Sequence, residues 1–169
     1  MTTLHHTAIA VGAAADAATF NSPLSSLDAA FPVTAYWQPA TNADVAIPGT
    51  ATAISTANLR RNFVVGPSGG AVVDLSGYVV LGANADIYWG VVVGATGFGP
   101  TVLALNGYTA MLGVKTLCRA RLVVPAATWT PGSTQQIDWT HFATVTNAAT
   151  LFKVEAPYGW VASMTVSPL

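Results

Sequence analysis

Charge is what this chain has least of: 6 Lys and Arg and 7 Asp and Glu among 169 residues, or 8%. An ordinary soluble domain carries about 25%. The net charge is −1 and only two lysines, Lys115 and Lys153, are present. Arg60-Arg61 is an isolated pair, and Arg119 and Arg121 stand two residues apart. Nucleic-acid binding runs on clustered Lys and Arg neutralising phosphates, so this composition excludes it. Cysteine is nearly absent too. Cys118 stands alone, which excludes an intrachain disulfide and a zinc-type cysteine pair, and in an apolar-alternating run it reads as a small core residue.

Long unbroken apolar runs are also missing. The longest charge-free stretch, Ile87–Val114, is interrupted by Gly90, Gly94, Gly97, Gly99, Pro100, Gly107 and Gly113, so it cannot be one spanning helix and no membrane insertion is expected. The start, MTTLHHTAIAVGAAADAA, has no Lys or Arg ahead of its mildly apolar stretch. A secretory signal is therefore not expected.

What replaces charge is 30 Ala, 21 Thr and 20 Val. A free monomer with so few charges is poorly solvated, whereas interface centres are depleted in charge. The composition therefore favours an oligomer over an extracellular domain solubilised by hydroxyls and amides.

Three zones follow along the chain. In residues 1–31, Phe20, Leu24, Leu27 and Phe31 recur at helical spacing and form one stripe. Ser22-Pro23 supplies a cap and first turn, and Pro32 ends the helix. So short a helix is marginal alone and must pack on its own domain, on neighbouring subunits or on a larger particle. Residues 32–58, with small residues and little periodicity, read as an extended arm.

Residues 59–169 read as a β domain, an antiparallel sandwich or jelly roll. Strands are expected at Asn62–Val65, Ala71–Leu75, Gly77–Gly82, Ile87–Val93, Thr101–Leu105, Lys115–Val124, Gln135–Trp139, Thr150–Glu155 and Trp160–Val166. Turn chemistry lies between them in GPSGG, ATGFGP, NG, PAATWTPGS and APYG. In Lys115–Val124, alternation puts Thr116, Cys118, Ala120, Leu122 and Val124 toward a core. It leaves Arg119 and Arg121 on a face open to solvent, a ligand or a neighbour. Tyr78–Leu81 and Val91–Val93 are apolar on both faces, and their outer faces are expected to meet another subunit.

Catalytic chemistry is thinly represented. Gly66-Pro67-Ser68-Gly69-Gly70 matches G-x-S-x-G, with Asp138 and His141 following. The next segment is a strand where a nucleophile elbow needs a helix, so GPSGG reads as a hairpin loop. Asp138 and His141, three apart in a strand, point to opposite faces. His5, His6 and the Asn84/Asp86 turn make no metal set. No catalytic residue, metal or cofactor is nominated. Trp139 and Trp160 are read as core; Trp129 and Tyr158, in loop-like stretches, are candidate sugar or interface contacts.

Two family resemblances bear on function. Ala17, Asn21, Leu24, Leu27, Asp28, Ala30 and Phe31 fill a pattern that resembles a helix-forming element near the start of many phage fibre and decoration proteins. The C-terminal zone, ending at VASMTVSPL, resembles the trimeric jelly-roll heads of phage fibres, similar in architecture to C1q and tumour-necrosis-factor domains. Such proteins are homotrimers that decorate a capsid, cap a fibre or bind a host surface. The chain has no long shaft between helix and head, so the resemblance implies a short decoration protein or spike. Its partners would be itself, other virion proteins and, in an adhesin, a host surface glycan, and its expected place is a virion assembled in the host cytoplasm.

Overall fold

The computed structural model describes residues 31–94, 96–103, 112–145, 147, 149–156 and 161–169, with side chains from 98 to 103 left aside. The helical stripe of Phe20, Leu24 and Leu27 lies outside the described residues, as do Tyr158 and Trp160.

Among the described residues eleven strands form: β1 (Val33–Trp37), β2 (Ala43–Ala46), β3 (Thr52–Ala53), β4 (Arg60–Val64), β5 (Ala71–Val80), β6 (Ile87–Val93), β7 (Thr96–Leu103), β8 (Lys115–Val124), β9 (Thr134–Ala143), β10 (Leu151–Val154) and β11 (Ala162–Pro168). All pair antiparallel within two sheets. The first sheet holds β1, β2, β5, β8, β10 and β11; the second holds β3, β4, β6, β7 and β9. Among the eight longest strands, counted in chain order, the first sheet runs first–eighth–third–sixth. The second runs second–seventh–fourth–fifth. That is the double Greek key of a jelly roll.

Alternation builds the core. Along β8, Cys118, Ala120, Leu122 and Val124 are buried, while Leu117, Arg119, Arg121 and Val123 are exposed, as the period-2 pattern requires. The inner faces meet over an aromatic cluster. Trp89 and Trp139 pack edge to face at 4.7 Å, and Phe152 of the opposite sheet lies 5.3 Å from Trp139. Gly77 makes room for it, since a Cβ there would sit 2.7 Å from the Phe152 ring and 3.2 Å from Trp139.

Several expectations are corrected. The stretch 32–58, expected as an arm, supplies β1, β2 and β3. These strands take edge places, and β1, whose Val, Thr, Tyr and Trp are β-forming residues, pairs with β11 over all five positions from Val33↔Val166 to Trp37↔Ala162. The two strands expected around Ser76 are one ten-residue strand, β5, because Gly77 serves packing rather than a turn. ATGFGP falls largely within β7, and among the described residues turn backbone is seen at Gly94, just ahead of it, at φ +59°. The GPSGG loop does not close a hairpin: it carries the chain from β4 in one sheet to β5 in the other. Gly69 adopts φ +72° there, and the loop is stitched to residues 127–129 by Ala127 N–H to Ser68 O at 2.7 Å and Trp129 N–H to Gly69 O at 2.9 Å.

Candidate assembly surface

The two outer faces of the sandwich differ in chemistry, and the strand registers show why. On the second sheet, Tyr88, Gly90 and Val92 of β6 stand opposite Phe142, Thr140 and Asp138 of β9. Directly opposed residues share a face. Tyr88 and Phe142 stack at 4.5 Å with planes 4° apart, and both are half-buried, as is Val92. Asp138 is the sole charge of this β6/β9 strip, and Arg60 of β4 clamps it by two hydrogen bonds, Nε–Oδ1 at 2.6 Å and Nη2–Oδ2 at 2.7 Å. The Asp138 hydrogen bond holds the Arg60 guanidinium further above its ordinary pKa. The centre of this face is therefore apolar, with its charge neutralised at the rim.

The first sheet's outer face is polar. One row across it reads Tyr36, Ser163, Ser76 and Arg119; the next reads Thr34, Thr165, Asp74 and Arg121. Thr34 and Thr165 share a hydrogen bond of 3.1 Å between hydroxyls. Arg121 lies 3.7 Å from Asp74, too long for a hydrogen bond. Further along, Lys153 pairs with Asp44 at 3.1 Å, and Lys115 with Glu155. Leu117 and Val123 bracket the arginines on β8 and are exposed.

The apolar runs divide between core and outside. Val79, Leu81, Val91 and Val93 are buried between the sheets, whereas Tyr78, Val80 and Val92 stand half-buried on outer faces. Phe31 is 61% exposed. Trp129, a candidate sugar contact from its loop position, is half-buried against the core. The GPSGG crossover seats its loop on the sandwich through the backbone N–H groups of Ala127 and Trp129. Arg119 and Arg121 are exposed as the alternation requires.

The hydrolase constellation is not assembled. Asp138 faces outward and is held by Arg60, while His141 points into the core beside Phe152, at 6.1 Å between rings. Ser68 Oγ accepts a hydrogen bond from Gly70 N–H at 3.2 Å within its loop. Among the described residues no group of three or more His, Cys, Asp and Glu is placed to hold a metal ion, and no helix is long and apolar enough to cross a membrane. His141 is 1% exposed and its Nδ1 has no hydrogen-bond partner among the described residues. Burial pushes its pKa down to about 4. Sequence reasoning placed His141 on the face opposite Asp138 but gave no signal that it would be sealed between the sheets.

No protein-family model and no curated protein matches the chain. Among solved structures it is similar to infectious bursal disease virus, Gt strain, with 13% identity and a TM-score of 0.45 over 82% of this chain and 33% of that one. It is also similar to a mutant VP2 protein of the same virus in derived T=1 particles, with 14% identity, a TM-score of 0.46, and coverage of 82% and 31%. A third is the VP2 subviral particle of that virus, with 10% identity, a TM-score of 0.44, and coverage of 82% and 38%. The chain thus spans about a third of the length of these chains, at 31–38%. The jelly-roll topology stands on the strand pairings themselves.

Proposed function

We propose that the protein is a non-enzymatic virion structural protein, a capsid decoration protein or short spike of a bacteriophage, that works as a homotrimer. The observation that carries this reading is the outer face of the second sheet. Tyr88, Val92 and Phe142 form an apolar centre there, and its only charge, Asp138, is already neutralised by Arg60. With 8% charged residues overall, the chain has little means of keeping such a face solvated, and a second copy is the covering that the composition favours. The count of three comes from the resemblance of residues 59–169 to trimeric fibre heads. Residues 1–31 then anchor the trimer to capsid or tail proteins through Phe20, Leu24, Leu27 and Phe31.

The mechanism is burial. Apolar area removed from water contributes roughly 25 cal/mol per Å², less the costs of association. A stable interface needs about 1,200–2,000 Å² in all. Val92→Asp or Phe142→Asp places an uncompensated charge in that centre. Each variant should run as a folded 17.3 kDa monomer where the parent runs as a trimer; variants that stay trimeric would move the interface elsewhere. Deleting residues 1–31 should abolish particle binding and leave the trimer intact. The second reading, an adhesin that binds a host glycan, is favoured by one specific observation, the hydroxyl-lined face of the first sheet.

A further inference from the structure

We infer that the outer face of the first sheet holds a binding site for a carboxylated sugar, with Arg119 as the partner of the carboxylate. This goes beyond the assembly reading, and rests on it only in that an interface through the second sheet leaves this face open.

The chain has only 6 Lys and Arg, and Arg60, Lys115, Lys153 and Arg121 each have a carboxylate within 4 Å. Arg61 donates to the backbone oxygens of Thr34 and Arg60. Arg119 alone among the described Lys and Arg has neither an ion pair nor a hydrogen bond. It stands exposed on β8, about 7 Å along the strand from Arg121. Arg121 in turn has only a loose contact with Asp74, with both side chains more than half exposed. Asp74 offsets one of the two positive charges; the other faces outward with no acceptor. A planar guanidinium fork of this kind matches a carboxylate bidentately.

The surroundings select the kind of carboxylate. Arg119, Arg121, Asp74, Ser76 and Ser163 line one shallow depression. Ser76 and Ser163 lie in register with Arg119, and Tyr36, 64% exposed, ends that row. Three strand spacings separate Tyr36 from Arg119, about 14 Å, room for a short oligosaccharide lying across the strands. Hydroxyls that both donate and accept suit sugar hydroxyls, and the exposed tyrosine ring offers an apolar face to a pyranose. The row has no apolar anchor in a pocket such as a protein partner's hot spot needs. Two arginines are too few for a nucleic-acid backbone.

The test is titration of the full chain with 3′-sialyllactose and a hyaluronan tetrasaccharide, using lactose and chitotetraose as uncharged counterparts, followed by ligand-observed NMR. Light scattering and thermal melts are run on the same samples. The acidic sugars should bind and the neutral ones should not. Arg119→Gln should weaken binding about tenfold, the loss of one charge-assisted contact, and Tyr36→Ala should weaken it several-fold. Neither exposed substitution should alter the melt. Equal binding of neutral sugars, full competition by inorganic phosphate, or an unchanged Arg119→Gln would each overturn the inference. A trimer that binds none of the sugars overturns this site alone, and a monomer that binds them overturns the assembly reading alone.

Discussion

Acidification should unload the core of this protein at one residue, His141. Its imidazole lies between the sheets at 1% exposure, opposite Trp89 in the β6–β9 register, with no hydrogen-bond partner at Nδ1 among the described residues. Burial lowers its pKa from 6.5 to about 4. The folded state therefore resists a proton that the unfolded chain accepts readily. Above pH 6.5 both states are neutral and the contribution to stability is complete. Between pH 6.5 and about 4 only the unfolded state gains the proton, so stability falls as pH falls; below about 4 the loss levels off. At roughly 1.4 kcal/mol per unit, the gap amounts to about 3 kcal/mol, a sizeable part of the 5–15 kcal/mol that holds a typical domain. Urea unfolding followed by tryptophan fluorescence at pH 7.5, 6, 5 and 4, at one fixed protein concentration, measures it. His141→Leu provides the reference, because carboxylate titrations are common to both chains and cancel in the difference. The stability of the parent relative to the variant should drop by about 3 kcal/mol between pH 7.5 and 4. Parallel curves across that range would refute the reasoning and show that His141 is solvated or paired.

Three further outcomes are expected. Gly77→Ala pushes a methyl group into the Phe152 and Trp139 rings and should cost about 1–3 kcal/mol in denaturant unfolding; an unchanged midpoint would show that the cluster is loosely packed. Cys118 is buried at 6% exposure, and desolvation pushes its thiol up to about 11, so a thiol reagent at pH 8 should modify it only as fast as the chain unfolds. Rapid labelling of the native protein would contradict that burial. Trp129→Ala should lower stability by about 1–3 kcal/mol, because the ring packs on the core, and should leave sugar binding unchanged; weakened binding with an unaltered melt would return Trp129 to the ligand site.

The β domain was legible in the sequence wherever alternation was strong. Lys115–Val124 and Ile87–Val93 match β8 and β6 end to end, the first through its alternation of core and open positions and the second as a short run of aromatic and β-branched residues apolar on both faces. Glycine misled in two ways. Gly77 and the glycines of ATGFGP look like punctuation, yet Gly77 yields space to the rings of Phe152, on the neighbouring strand of its own sheet, and of Trp139 in the opposite sheet, contacts distant in sequence that no local pattern reveals. Of the strands at 33–53, β2 (ADVA) and β3 (TA) are too short to carry periodicity, and β1 (VTAYW) has β-forming residues but lies between Pro32 and Pro39; their identity comes from β11, β10 and β9, with which they pair. The candidate surfaces were half legible. Alternation alone put Arg119 and Arg121 on an open face, but that Asp74 sits opposite Arg121 and Ser76 opposite Arg119 follows from the β5–β8 register. The same holds for Asp138 and Arg60, separated by 78 residues and joined only by the β4–β9 pairing.

Self-assembly is read out by the mass of the purified chain in light scattering over a wide range of concentrations. A particle of three 17.3 kDa chains that persists on dilution is expected. A well-behaved 17.3 kDa monomer at every concentration would contradict it, and would leave both the scarcity of charge and the apolar face of Tyr88, Val92 and Phe142 without the partner they call for.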